Sequence, residues 1–312
     1  MNPTPTTTSV PILRSVMAGY AFAISHWRRA AVAAAPYMLA YAAQLVLMQS
    51  LGGATANPLL AMGMFLLSLV TVIASLALSA ACLRMAVLGD YSGWHSLKAG
   101  ADEGRIFIVS LLVAALTLLV FIMAFMFWAV VLGSIAAGAM SRAGIDPEAE
   151  GLELVDAMAY LGAADWAVAG VAGLAAAALL VWLSARLALA LPATIANRKI
   201  MVLSAWSLSG GNAMRIAAAL LLTGLPLLAL EVGLYELICA ILGSRPLYLP
   251  VPVGSEQINA PALAAAEEYL RWNGLMAFIN VPVFSGLYAY IYRNRTAAAA
   301  AGDGAGQHPS GI

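Results

Sequence analysis

Six stretches of this chain stay apolar long enough to cross a bilayer, and polar or charged segments separate them. A hydrocarbon core about 30 Å thick takes roughly 20 apolar residues of helix. The stretches are Ala30–Leu51, Pro58–Leu83, Ile106 to about Ala139, Trp166–Ala185, about Ile216–Leu242 and about Trp272–Tyr292. None has the short alternating pattern of a membrane β-barrel. In lipid each backbone polar group must be satisfied within its own segment, so long apolar runs become helices. The predicted fold class is therefore all-α, a polytopic transmembrane helical bundle. Residues 1–295 form the membrane domain. Residues 296–312 are rich in Ala and Gly, carry one charge at Asp303, and read as a disordered cytoplasmic tail.

The six spans are spaced as three hairpins on one plan. A short amphipathic stretch with a tryptophan leads to a basic residue, a helix going out, an outer loop and a helix returning to an arginine. The first unit carries Trp27, Arg28 and Arg29 and returns to Arg84. The second carries Trp94 and Arg105 and returns to Arg186. The third carries Trp206 and Arg215 and returns to Arg293. Such similarity is read either as duplication or as three hairpins obeying the same charge rule. Ile12, Val16, Tyr20, Ala23 and Trp27 recur every three or four residues, which predicts an amphipathic helix lying in the headgroup region. Ile200, Leu203 and Trp206 predict a second. Trp27, Trp94 and Trp206 are the expected interfacial anchors, since the indole is an apolar ring with a polar N–H. Gly210 and Gly211 can end the second helix in a left-handed cap, and Asn212 can cap the start of the fifth span.

Composition sharpens the class. Of 312 residues, 63% are hydrophobic and only 10% charged, against about 25% charged in soluble domains. Lys+Arg and Asp+Glu are both 15, so no net field favours a nucleic acid. The distribution of charge predicts orientation. Arg14, Arg28, Arg29, Arg84, Lys98, Arg105, Arg186, Arg198, Lys199, Arg215, Arg293 and Arg295 share one side; only Arg142, Arg245 and Arg271 fall on the other. The side rich in Lys and Arg is cytoplasmic, which places both termini inside. Arg28, Arg29, Arg84, Arg105, Arg186 and Arg215 are the candidate contacts to anionic lipid headgroups, each worth about 1 kcal/mol near a charged surface; the alternative is that they only set topology.

A search for chemistry finds few parts. The histidines, His26, His95 and His308, lie outside the spans and not at metal-ligand spacing. Phosphate loops, zinc-protease and nucleophile-elbow motifs are absent. Cys82 and Cys239 fall near opposite ends of their spans and are not expected to bridge. No cofactor, metal or enzymatic activity is predicted. Glu231 and Glu236 are the exceptions to the apolar rule, both within the fifth span and just after Pro226. Intramembrane acids are costly and are candidates for a proton or cation relay; the alternative is a neutral acid, or one paired with Arg245 or Arg271. Gln44 and Asn280 read as interhelical hydrogen bonds, and Pro282 as a kink. Ala169, Gly173 and Ala177, with Gly133 and Ala137, predict close helix approach and offer a dimer face.

The segment from Arg186-Leu-Ala-Leu-Ala-Leu-Pro192 to Leu203-Ser-Ala-Trp206-Ser-Leu-Ser-Gly-Gly-Asn212 resembles a family of six-helix bacterial inner-membrane proteins. That family comprises the membrane domain beside some glycerophosphodiester phosphodiesterases and related uncharacterised proteins. The resemblance covers about Leu183 to Arg215; elsewhere it is one of topology. It implies a bacterial plasma membrane and a lipid-linked role. It carries over no catalytic residue, because the phosphodiesterase chemistry belongs to a separate soluble domain. The reading that follows is a non-enzymatic membrane protein tied to lipid handling or envelope organisation, with membrane lipids and a second copy or another membrane subunit as partners. The alternative is a small proton- or cation-coupled transporter using Glu231.

Overall fold

The computed structural model describes residues 9–51, 58–91, 100–145, 158–242, 274 and 276–297. Within them the chain is helical, with short turns and no strand. The helices are α1 (Ile12–Ser25), α2 (Trp27–Leu51), α3 (Pro58–Leu88), α4 (Ala101–Arg142), α5 (Ala163–Leu187), α6 (Ala190–Asn197), α7 (Val202–Leu208), α8 (Ala213–Leu242) and α9 (276–297). Among the described residues, five stretches are long and apolar enough to cross a membrane: Trp27–Leu47, Met62–Leu88, Ala101–Arg142, Ala163–Asn197 and Ala213–Ile241. The sixth predicted run begins outside the described residues and ends within α9.

Large and small apolar residues are distributed in reverse of a water-soluble core. Fully covered positions are mainly small: Ala34, Ala80, Ala81, Ala185, Ala190, Ala193, Ala205, Ala219 and Ala289. Many large side chains point away from the protein, among them Leu174 at 72% exposure and Ile241 at 74%, although Leu78, Ile106, Leu189, Ile216, Leu287 and Ile291 fill the interior. In lipid an outward leucine loses nothing, whereas small inward residues let backbones approach and gain dispersion contacts. Hydroxyls are absorbed locally: Ser68, Thr71, Ser79, Ser134 and Thr194 each donate to the carbonyl four residues back. No hydroxyl proton in that set then faces hydrocarbon unpaired.

α2 and α3 run antiparallel, with Ala33, Ala34 and Tyr37 against Leu78, Ala81, Cys82 and Met85. Farther along, the Ser68 hydroxyl accepts from the Gln44 amide, and the Thr71 hydroxyl shares its one proton between the Leu67 carbonyl and the Gln44 carbonyl, as predicted for an interhelical glutamine. α4 and α5 form a second antiparallel pair. Trp128 Nε1 donates to the Ala169 carbonyl at 3.1 Å, and Gly173 leaves the room its indole occupies. Of the predicted small-residue stripe, Ala169 and Gly173 lie at this seam. Gly133 has open space around it and Ala137 is exposed; Ala136 and Met140 pack instead, against Ile145 and Leu161. The helical phase of α4 therefore puts a different pair inward.

The amphipathic helices differ from expectation. α1 does not rest its apolar stripe on headgroups. Ser15 and Gly19 are buried, Ile12 and Val16 pack on the central cluster, and Leu13, Met17 and Ile24 of the opposite face are exposed. The helix lies across α8 and α9: Val10 N–H donates to Asn212 Oδ1, Tyr20 O–H donates to the Thr223 carbonyl, and Gly19 and Gly286 bring α1 and α9 into backbone contact. Asn212 thus spends its side chain on α1 and not on capping α8, while Gly211 does take the expected positive φ, +70°. A turn at His26 separates Trp27 from α1, so it opens α2.

α5 ends because Pro192 has no N–H for the Ala188 carbonyl and its ring crowds that carbonyl. The chain turns at Ala188–Leu189, α6 sinks into the core with Ala190, Pro192, Ala193, Thr194 and Ile195 all covered, and Arg198 closes it in a left-handed conformation. α7 then returns beside the end of α5. Thr296 and Ala297, assigned to the tail from the sequence, continue α9, and residues 298–312 lie outside the described residues, as do the acidic loop from 146 to 157, the proline-rich loop and Trp94.

Candidate functional site

Most of the arginines expected to face headgroups are engaged within the protein. Arg84 is 3% exposed and forms an ion pair with Glu103 at the start of α4. It is turned inward, contrary to the headgroup role expected of it. Glu103 supplies the cause: a guanidinium can enter an apolar bundle only with a paired charge. Arg105 pairs with Asp102 one turn away at 2.7 Å. Arg215 donates to the Val10 carbonyl, fixing the entry to α1.

Arg186 holds the elbow. Its guanidinium lies 5.4 Å from the ring centre of Trp182 and 5.1 Å from that of Trp206, and the two indoles meet edge to face at 5.4 Å. It also donates to the Trp206 carbonyl, and Ser209 O–H donates to the Arg186 carbonyl. Trp206 is therefore partly a packing partner for Arg186, beyond a membrane anchor. Arg293 donates to the Ala86 carbonyl at 2.6 Å, and Arg295 to those of Leu208 and Gly210. Such carbonyls at helix ends lack intrahelical donors and carry the negative end of the helix dipole. Arg293 and Arg295, which were not among the candidates, tie the end of α9 to α3 and α7.

Arg28 and Arg29 are different. Both are exposed, and neither forms an ion pair among the described residues. They line an open cleft of about 380 Å³ at the α1–α2 corner with Ile24, Ser25, His26 and Trp27. The first turn of α2 has no acidic residue. Trp27 is 55% exposed and Ile24 72%. Arg28 lies 5.4 Å from the Trp27 ring centre, and Arg29 lies 4.3 Å over Tyr91. Tyr91 is held from below: its hydroxyl is 2.9 Å from His26 Nε2, and the His26 ring stacks on Phe22 at 4.7 Å. His26 Nδ1 lies 2.8 Å from the Ser25 hydroxyl and 3.1 Å from the Phe22 carbonyl, so neighbours on its own turn hold the imidazole toward Tyr91.

Comparison with protein-family models, curated proteins and solved structures finds no match. Functional argument therefore rests on the residues themselves.

In the apolar part of the bundle, Asn280 Nδ2 of α9 donates to Glu231 Oε1 of α8 at 2.9 Å, while Asn280 Oδ1 is buried without a partner among the described residues. The structure joins these two residues; the sequence assigned each a polar role without pairing them, and Arg245 and Arg271 lie outside the described residues. Glu236 is exposed, five residues on and turned away from Glu231. Cys82 and Cys239 are both buried and form no disulfide. Among the described residues, no three His, Cys, Asp or Glu side chains converge as a metal site would require.

Proposed function

We propose that this chain is a non-enzymatic integral membrane protein of a bacterial inner membrane that works in lipid handling or envelope organisation by engaging anionic lipid at its cytoplasmic face. The observation that carries the reading is the α1–α2 corner. Arg28 and Arg29 stand exposed and, among the described residues, without a carboxylate partner beside an exposed tryptophan, whereas Arg84 and Arg105 are ion-paired, Arg186 packs on two indoles, and Arg215, though exposed, donates to the Val10 carbonyl. The six helices cross as three hairpins with both termini inside, in keeping with twelve basic residues on that side. Cysteines placed at Thr296 and Glu148 then react with impermeant reagents from opposite compartments; reaction from the same side ends the reading.

The lipid role is tested by native mass spectrometry of the protein from nanodiscs of phosphatidylglycerol and phosphatidylcholine in equal parts. Arg28→Gln/Arg29→Gln lowers the retained ratio of anionic to zwitterionic lipid, and Arg105→Gln leaves it near wild type. A double variant with unchanged preference overturns the proposal.

The Glu231–Asn280 bridge favours a second reading, a small transporter in which Glu231 carries the proton or cation. Glu231→Gln in proteoliposomes then abolishes a proton flux that wild type supports, with the fold intact. A flux equal to wild type removes it.

A further inference from the structure

We infer that the α1–α2 corner is a defined site for the phosphate of one anionic phospholipid, with Arg29 as its principal ligand and Tyr91 and His26 as the residues that position Arg29. This rests on the lipid reading above and names its site and ligand class.

Three features of the corner select this ligand. The first is charge. Two adjacent guanidiniums face one cleft, α1 contains no acidic residue, and the first turn of α2 contains none. An arginine fork matches two phosphate oxygens at once. The second is order. A free surface arginine samples many rotamers, and fixing it costs part of any binding energy. Here Phe22, His26, Tyr91 and Arg29 form one stack, with ring separations of 4.7 and 5.6 Å and the guanidinium 4.3 Å over the last ring. The His26–Tyr91 hydrogen bond sets the ring that Arg29 rests on. One face of the guanidinium is thereby occupied, and its N–H edge stays available for a phosphate. The third is amphipathic form. The same cleft is lined by Ile24 and Trp27, both largely exposed. A soluble phosphate would use only the basic half, whereas a phospholipid satisfies both: phosphate on the arginines, glycerol and upper acyl chain on the indole and isoleucine.

The test uses the full-length protein in the same nanodiscs, with the ratio of retained phosphatidylglycerol to phosphatidylcholine as the readout. Arg29→Lys keeps the charge but cannot present the planar fork or stack as well on Tyr91. It is expected to lower the ratio at least about fivefold, the loss of a stacked, bidentate contact of about 1 kcal/mol. Tyr91→Leu is expected to match it, and Tyr91→Phe, which keeps the ring and loses only the hydroxyl, to fall between. His26→Gln repeats the test from the other end of the stack. Added glycerol phosphate is expected to leave the retained lipid unchanged. If Arg28→Gln/Arg29→Gln lowers the ratio while Arg29→Lys, Tyr91→Leu and His26→Gln all leave it at wild type, the lipid role stands and the positioned site is wrong. An unaltered ratio in the double variant overturns both. Displacement of the lipid by glycerol phosphate overturns the assignment to a phospholipid.

Discussion

The contact between α1 and α9 offers a sharp test of how the bundle is packed. Gly19 and Gly286 face each other's helices. A Cβ on Gly19 would stand 2.8 Å from the Val283 carbonyl oxygen, and one on Gly286 would stand 2.6 Å from Phe22 Cβ and 3.2 Å from the Ala18 carbonyl oxygen. These neighbours are backbone or sit directly on it, so a rotamer change cannot relieve the clash. Overpacking of this kind costs about 1–3 kcal/mol. Against it stands the gain from replacing a helical glycine by alanine, about 0.5–1 kcal/mol. The net expectation for Gly19→Ala or Gly286→Ala is a loss of up to about 2.5 kcal/mol, and about 1–3 kcal/mol relative to alanine at an uncrowded helical glycine. Gly224 and Gly233, both in α8, supply the controls, since nothing lies within 4 Å of a Cβ at either. Gly224→Ala and Gly233→Ala keep only the propensity gain and should equal or exceed wild type. Reversible unfolding in one fixed detergent mixture, followed by helical circular dichroism, measures all four. Seam and control variants with indistinguishable stability would show that α1 is not inlaid between α8 and α9, and the account of Val10, Asn212 and Tyr20 would fall with it.

Two further outcomes follow from burial. Glu103→Leu leaves the covered Arg84 guanidinium without its acid and should cost about 2–4 kcal/mol, reduced somewhat because Glu103 is 17% exposed, whereas Arg84→Met/Glu103→Leu should recover most of that loss; equal unfolding midpoints for single and double variants would refute the buried pair. Cys82 and Cys239, at 0% and 1% exposure, should react with a membrane-permeant maleimide only after denaturation, and rapid labelling of the folded protein would contradict the packing of α3 or α8.

How much of this could be read beforehand depends on the range of the interaction involved. Membrane-spanning length is local, and the apolar runs located α2 to α5 and α8 to within a turn or so at most ends. Exceptions are at the ends: α4 runs from Ala101, five residues before the predicted start, because Asp102 and Glu103 suit a helix N-terminus and find Arg105 and Arg84 there. That acid pair so close to a basic side was a visible signal for an inward arginine, and the positive-inside reasoning passes over it because it weighs acids lightly. The anchoring by Arg293 and Arg295 had no such signal, since their acceptors are main-chain carbonyls that every residue carries.

The amphipathic stripe of α1 shows the deeper limit. Periodicity identifies which residues share a face, but in a membrane it does not say what that face meets. In water an apolar stripe seeks the core because exposure is costly. In lipid both faces of a helix can be apolar at no cost, and the deciding term is how closely two backbones can approach. On α1 that term belongs to Gly19 and Ser15, which lie on the same side as Ile12 and Val16; the helix turns that side to α8 and α9 and leaves Leu13, Met17 and Ile24 outward. The same reasoning accounts for Trp206. Depth alone would leave its indole at the interface, yet the chain turns before Pro192, α6 enters the core, α7 returns beside α5, and the ring arrives against Arg186. At Trp27 no such fold-back intervenes: after the turn at His26 the chain continues directly into α2. Its indole stays exposed at the open α1–α2 cleft, beside Arg28 and Arg29, which form no ion pair among the described residues.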